Sequence, residues 1–198
     1  MEINHEGTKI TKTPNVFVSL CLSGEISPLT TKLEELNALS SADAEAEFLK
    51  CCGSTKWAHE MTAARPFATE QELFASADDV SSSLEDEDWL EAFRAHPKIG
   101  EKRAATAQSQ QEQKWSAQEQ SGVSEASAGT MAQLAERNRE YEDRFGFIFI
   151  VCASGKSPDE MLAILNSRID NDPRTELRIA GEEQRKITRL RLEKLLNP

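Results

Sequence analysis

Six consecutive apolar residues, Phe147-Ile-Phe-Ile-Val-Cys152, are mostly aromatic or β-branched. That composition predicts a buried strand. A strand must pair, however, because buried N–H and C=O groups without partners are costly. No second convincing strand occurs in the chain. Everywhere else the ordered pattern is helical, with start and stop signals in alternation. By pattern alone the chain is therefore mostly helical, with one strand-like apolar run that has nothing to pair with.

The helices read off in order. Leu33, Leu36 and Leu39 mark a short one after Thr31, and Ser41 to Cys52 a second, with Phe48, Leu49 and Cys52 inward and Gly53 closing it. A third spans Thr55 to Ala64, ahead of Arg65-Pro66. Thr69-Glu-Gln-Glu72 fits a capping box that opens a fourth, carrying Leu73, Phe74 and Ala77, with Asp78 to Ser83 as a polar connection. Acidic residues Glu85 to Asp88 suit the first turn of a fifth. Ser124 to Arg144 has the strongest three-four spacing, through Met131, Leu134, Asn138, Tyr141 and Phe145, and Gly146 ends it. Ser157-Pro158-Asp-Glu160 starts a helix reaching about Ile169, and Pro173 opens the last, to about Leu196. Two stretches lack a period. Residues 1–31 read as an N-terminal arm of flexible character, and Glu101 to Ser121, rich in Gln, Ala and Ser, as a linker or mobile loop in which Trp115 is out of place.

At 198 residues one domain is expected. The net charge of −11 argues against nucleic acid or an anionic membrane as the main partner. An anionic ligand would need a cationic group inside its pocket. Cys21, Cys51, Cys52 and Cys152 form no C-x-x-C pair, and adjacent Cys51 and Cys52 could bridge only with strain, which favours reduced thiols and Cys152 as a small core residue. Val16 to Leu22 is short for a signal peptide, and Leu195-Leu-Asn-Pro198 is no peroxisomal address. The default location is cytoplasmic.

Most motifs of catalysis are missing. His5, His59 and His96 lack metal spacing, and neither H-E-x-x-H, G-x-G-x-x-G nor G-x-S-x-G occurs. Gly155-Lys-Ser157 resembles the end of a phosphate-binding loop, but Ile150 stands where its first glycine belongs. No metal and no cofactor is expected. What remains is a set of isolated polar residues. His96 follows Trp89 and Phe93 on one helix face, and Pro97 should stop the helix there, leaving an imidazole at a helix C-terminus that favours its protonated form. A half-buried histidine stacked on Trp89 or Phe93 fits the same spacing. Ser116-Ala-Gln-Glu119 matches a capping box, so Glu119 could serve only the start of a helix. Arg191 lies in an apolar stripe with Ile187 and Leu195, where a snorkelling arginine is common.

Three separated motifs occur in one order: Cys51-Cys-Gly-Ser-Thr-Lys-Trp57-Ala-His-Glu-Met61 with Arg65-Pro66-Phe67, His96-Pro97-Lys-Ile-Gly100, and Phe145-Gly-Phe-Ile-Phe-Ile-Val-Cys152. Together they resemble the OHCU decarboxylases, which convert 2-oxo-4-hydroxy-4-carboxy-5-ureidoimidazoline to (S)-allantoin in uric acid breakdown. The resemblance runs from about Leu33 to Leu196, implying a domain over 32–198 preceded by the arm. It implies an all-α, single-domain helical bundle of about seven to nine helices with a short extended apolar segment at the active site.

The resemblance implies catalytic roles for His96 and Glu119 and substrate contacts at Pro97, Ser116 and Gln120. It also implies that Phe149, Ile150, Val151, Cys152 and Ala153 are an extended backbone run against the substrate, and that Arg191 is the cationic group. Arg189-Leu190 lies two residues from the matching Arg191-Leu192 pair. A cofactor-independent carboxy-lyase and a homodimer are implied too, with urate oxidase and hydroxyisourate hydrolase as pathway neighbours; no tandem hydrolase domain fits in the remaining residues. A different class remains open: a helical peptide- or ureide-binding module without catalysis, with Trp57, Trp89 and Trp115 along a groove.

Overall fold

The computed structural model describes residues 31–98, 110–119 and 128–197. These form helices α1 (Lys32–Ala38), α2 (Ser41–Cys52), α3 (Thr55–Ala63), α4 (Glu70–Ser82), α5 (Asp86–Arg94), α6 (Gln110–Glu119), α7 (Ala128–Phe145), α8 (Pro158–Arg168) and α9 (Pro173–Leu196), with no strand among the described residues. The all-α expectation holds. The N-terminal arm, apart from Thr31, lies outside them.

Local chemistry sets most boundaries. Side-chain oxygens of Thr31, Ser40, Ser54, Thr69, Ser157 and Asp172 each accept from the first-turn N–H groups of their helix. Ser157 and Glu160 form the reciprocal box, with Pro158 at the first helical position. At the other end of α1, Arg65 Nη1 donates to the carbonyls of Leu36 and Leu39, both at 2.9 Å. Orphan acceptors of a short helix are thus satisfied from across the fold.

Helix α9 is the axis of the bundle, packing against α1, α2, α4 and α5, while α2 pairs with α3 and α7 with α8. One aromatic cluster sits under α2 and α3. There the Phe48 ring meets Trp57 and Phe67 edge-on, and Trp57 Nε1 donates to Ser81 Oγ at 3.1 Å. A second cluster joins Phe93, Tyr141, Phe147 and Phe149, with centroids 5.2–5.7 Å apart.

Gly53 closes α2 at φ 84°, and a Cβ there would lie 2.6 Å from the Ala95 Cβ. Both the left-handed backbone and the close approach demand glycine. Gly53→Ala should therefore cost about 2–4 kcal/mol, combining left-handed strain with overpacking. Urea unfolding of the two proteins checks this; a loss under 1 kcal/mol would mean that Ala95 simply moves aside.

Four sequence expectations need correction, the first being Leu49, which the pattern places inward with Phe48 and Cys52 but which is 39% exposed on the outer face of α2. The linker assigned to Glu101–Ser121 contains α6, whose straight-chain residues have good helix propensity but almost no periodicity. Trp115, 8% exposed, anchors it. Ser116 and Glu119 consequently stand in the last turn of α6, not at a helix start. The polar connection at Asp78–Ser83 is mostly helix: α4 runs to Ser82, presenting Asp78 and Asp79 to solvent and Ser81 to Trp57.

Candidate functional site

Three acidic residues fill the first turn of α5, and Glu85 N-caps it, complementing the helix dipole. The helix ends at Arg94. His96 lies two residues beyond it, its backbone N–H donating to Phe93 O at 3.1 Å. Pro97 enforces that break, since it disfavours helical geometry in the residue before it. Trp89 and Phe93 do stack, with centroids 6.4 Å apart and planes 27° from parallel.

His96 opens into a cavity of about 360 Å³ lined by Leu90, Phe93, Arg94, Lys98, Glu142, Gly146, Phe147 and Ile148. Its volume suits a small heterocycle, and its apolar walls with a few converging polar groups are those of a ligand site. Lys98 Nζ lies 2.7 Å from a Glu142 carboxylate oxygen at its rim, both side chains partly solvated. Despite the acidic chain, three basic side chains therefore line this wall.

The run after Gly146 forms the next wall. Phe147 and Ile148 face the cavity, while Phe149 to Ala153 continue as a buried, non-helical segment. The sequence suggested that its backbone groups are left unpaired; several are in fact occupied. Arg168 Nη1 donates to Ile150 O at 2.9 Å. Cys152 N–H donates to Glu183 Oε2 at 2.8 Å, and Lys156 Nζ donates to Cys152 O at 2.7 Å. Lys156 N–H takes the Ala153 carbonyl. Helices α8 and α9 thus replace the missing neighbour strand with side chains.

Beneath this run lies a network of buried ionic groups. Arg168 Nε donates to Glu176 Oε1 at 2.8 Å, Tyr141 Oη donates to the same oxygen, and Asn171 Nδ2 donates to Glu176 Oε2 at 2.7 Å. The guanidinium also sits 4.8 Å from the Phe149 ring centroid. Burial, with the adjacent Glu176 carboxylate, pushes the Tyr141 hydroxyl well above its ordinary range and keeps it a donor. Glu183 goes the other way: burial opposes its charge, but Lys186 and the Cys152 N–H outweigh it and hold the carboxyl below its usual value.

Arg191 is 4% exposed and donates from Nη1 to Lys50 O, 3.3 Å away in the last turn of α2. Arg189, the neighbouring candidate, points outward to Glu193 and the Phe74 ring. Only Arg191 is inward. The same turn of α2 meets Ala95, next to His96, through Gly53, so the segments bearing the imidazole and the guanidinium converge on one helix end. Neither Arg191 nor residues 149–153 line the His96 cavity itself. Gln120 and the side chains of Ser116 and Glu119 lie outside the described residues.

Cys51, Cys52 and Cys152 are buried and form no disulfide with one another. Burial pushes the Cys52 thiol up to about 11, with the Ser54 N–H, Thr188 and Arg191 only partly offsetting it, and carries Cys51 higher still. These are poor nucleophiles. Sequence reasoning missed Arg168, Glu176, Glu183 and Lys156, because no local pattern links them to the run they hold. Among the described residues no helix is long and apolar enough to cross a membrane.

Comparison with known proteins gives one answer. A family model described as OHCU decarboxylase matches residues 37–193. The chain is 39% identical over 153 residues to the uric acid degradation bifunctional protein TTL of Arabidopsis thaliana, covering 77% of this chain and 47% of that protein. It thus spans about half the length of that relative. It is 35% identical to the 2-oxo-4-hydroxy-4-carboxy-5-ureidoimidazoline decarboxylase of Amia calva, covering 67% of this chain and 75% of that one. A crystal structure of OHCU decarboxylase in the presence of (S)-allantoin superposes with a TM-score of 0.67 at 42% identity, covering 77% of this chain and 98% of the other.

Proposed function

The chain belongs to the OHCU decarboxylase family, and on that premise we propose that it converts 2-oxo-4-hydroxy-4-carboxy-5-ureidoimidazoline to (S)-allantoin and CO2 in urate degradation. The observation that carries the reading is His96, placed by a proline-stopped helix at the wall of a cavity sized for a small heterocycle.

The substrate carbon that loses CO2 also bears a hydroxyl and adjoins a ring C=N. Electrons from the broken C–C bond delocalise into that C=N, so the chemistry calls for no added electron sink. Glu119 takes the hydroxyl proton as the ring carbonyl forms, and the ring nitrogen that gained the electrons picks up a proton from solvent. The Glu119 charge beside the carboxylate also disfavours the ground state. His96 delivers a proton to one face of the neighbouring carbon, setting the S configuration. Arg191 and Gln120, with Pro97, Ser116 and the Phe149–Ala153 run, hold the ring and ureido group. The same reading makes the enzyme a cytoplasmic homodimer that acts after urate oxidase and hydroxyisourate hydrolase.

Freshly generated substrate decays on its own to racemic allantoin. With the protein present, circular dichroism should show rapid growth of the S-allantoin signal. A trace no faster than the racemic background would leave the chain a helical binding module.

A further inference from the structure

Resting on the decarboxylase reading, we infer that Glu183 is a positioning residue, which with Arg168 aims the N–H and C=O of Val151 at the substrate as a paired donor and acceptor. Peptide planarity fixes where the groups point. In a trans peptide the C=O of one residue and the N–H of the next point in opposite directions. Arg168 holds the Ile150 C=O at 2.9 Å, so the Val151 N–H is turned away from Arg168. Glu183 holds the Cys152 N–H at 2.8 Å, so the Val151 C=O is turned away from Glu183. Lys156 pins the next carbonyl, that of Cys152, at 2.7 Å.

Both neighbouring peptides are thus gripped by side chains of α9 and the end of α8. The donor and the acceptor of Val151 both face away from them. Val151 is 7% exposed, and its backbone makes no hydrogen bond among the described residues. A buried peptide left in that state costs free energy. A ureide or lactam edge presents an N–H beside a C=O, which is the complement of such a pair. The other two holding groups differ in what they reveal. Arg168 is embedded in the buried Glu176 network, and its loss threatens the fold, whereas Glu183 lies on a helix with its side chain 14% exposed.

Glu183→Met removes the acceptor while keeping length and helix propensity, and Glu183→Gln retains an acceptor oxygen without charge. In steady-state assays Glu183→Met should raise KM about tenfold, with kcat within about threefold of wild type, because the lost grip weakens ground state and transition state alike. Glu183→Gln should restore KM to near the wild-type value. The Cys152 amide should also exchange with deuterium at least about tenfold faster in Glu183→Met while global melting is little changed. A lowered kcat at unchanged KM would signal fewer folded molecules and overturn the inference. So would equal losses in both variants, which would assign the effect to charge, or an unchanged KM in Glu183→Met. A wild-type protein inert on the substrate would instead remove the decarboxylase reading, and this inference with it.

Discussion

His96→Ala should lose about 10²–10⁴-fold in kcat, the usual contribution of a positioned acid–base group, and what allantoin it does form should be racemic. The two readouts are separable. Rate measures the barrier, whereas enantiomeric excess reports whether a proton still arrives on one face. The substitution should leave the fold intact, since His96 lies beyond the end of α5 and is only half-buried. Far-UV circular dichroism and melting should match wild type within a few degrees, about 1 kcal/mol or less. A variant within tenfold of wild-type kcat that still makes the S product would strip His96 of its role and leave it a stacking residue beside Phe93.

Arg168→Met should destabilise the protein by about 3–5 kcal/mol, a large share of a typical domain's total. The cost comes less from the lost attraction than from what is left behind. Glu176 is wholly buried, and Arg168 is its only cationic partner among the described residues. Without it a carboxylate remains in the core with only the Tyr141 hydroxyl and the Asn171 amide. Glu176→Leu should be comparably damaging, because it strands the guanidinium. The double variant should lose less than the sum of the two by about 2 kcal/mol, as expected for groups sharing one network. Denaturant unfolding of all four proteins closes that cycle. Additive losses would show that the pair does not act as a unit.

Much of the fold was legible because helix ends are local chemistry. Thr69 and Ser157 announce helix starts within three residues of the groups they cap, and Gly53 and Gly146 announce stops. Where a helix carries no amphipathic stripe the signal vanishes, and α6 reads as a linker for that reason. The candidate site was legible only in part. Proline after His96 predicts a broken helix, and Arg191 stands out as an arginine in an apolar stripe. Whether that arginine points inward while Arg189 points outward depends on which face of α9 meets α2.

Local chemistry along the chain announces the starts of α4 and α8 and the stops at Gly53 and Gly146, and leaves the apolar run at 147–152 with no strand to pair with. What takes a sheet's place is a matter of how the helices pack. Arg168, Glu183 and Lys156 hold the run, and Arg168 in turn answers to Glu176 and Tyr141. Capping acts within a turn of chain and leaves a spacing to be read. A buried ion pair with a backbone carbonyl is assembled from residues far apart in sequence. Its stability depends on burial that exists only after the helices have packed.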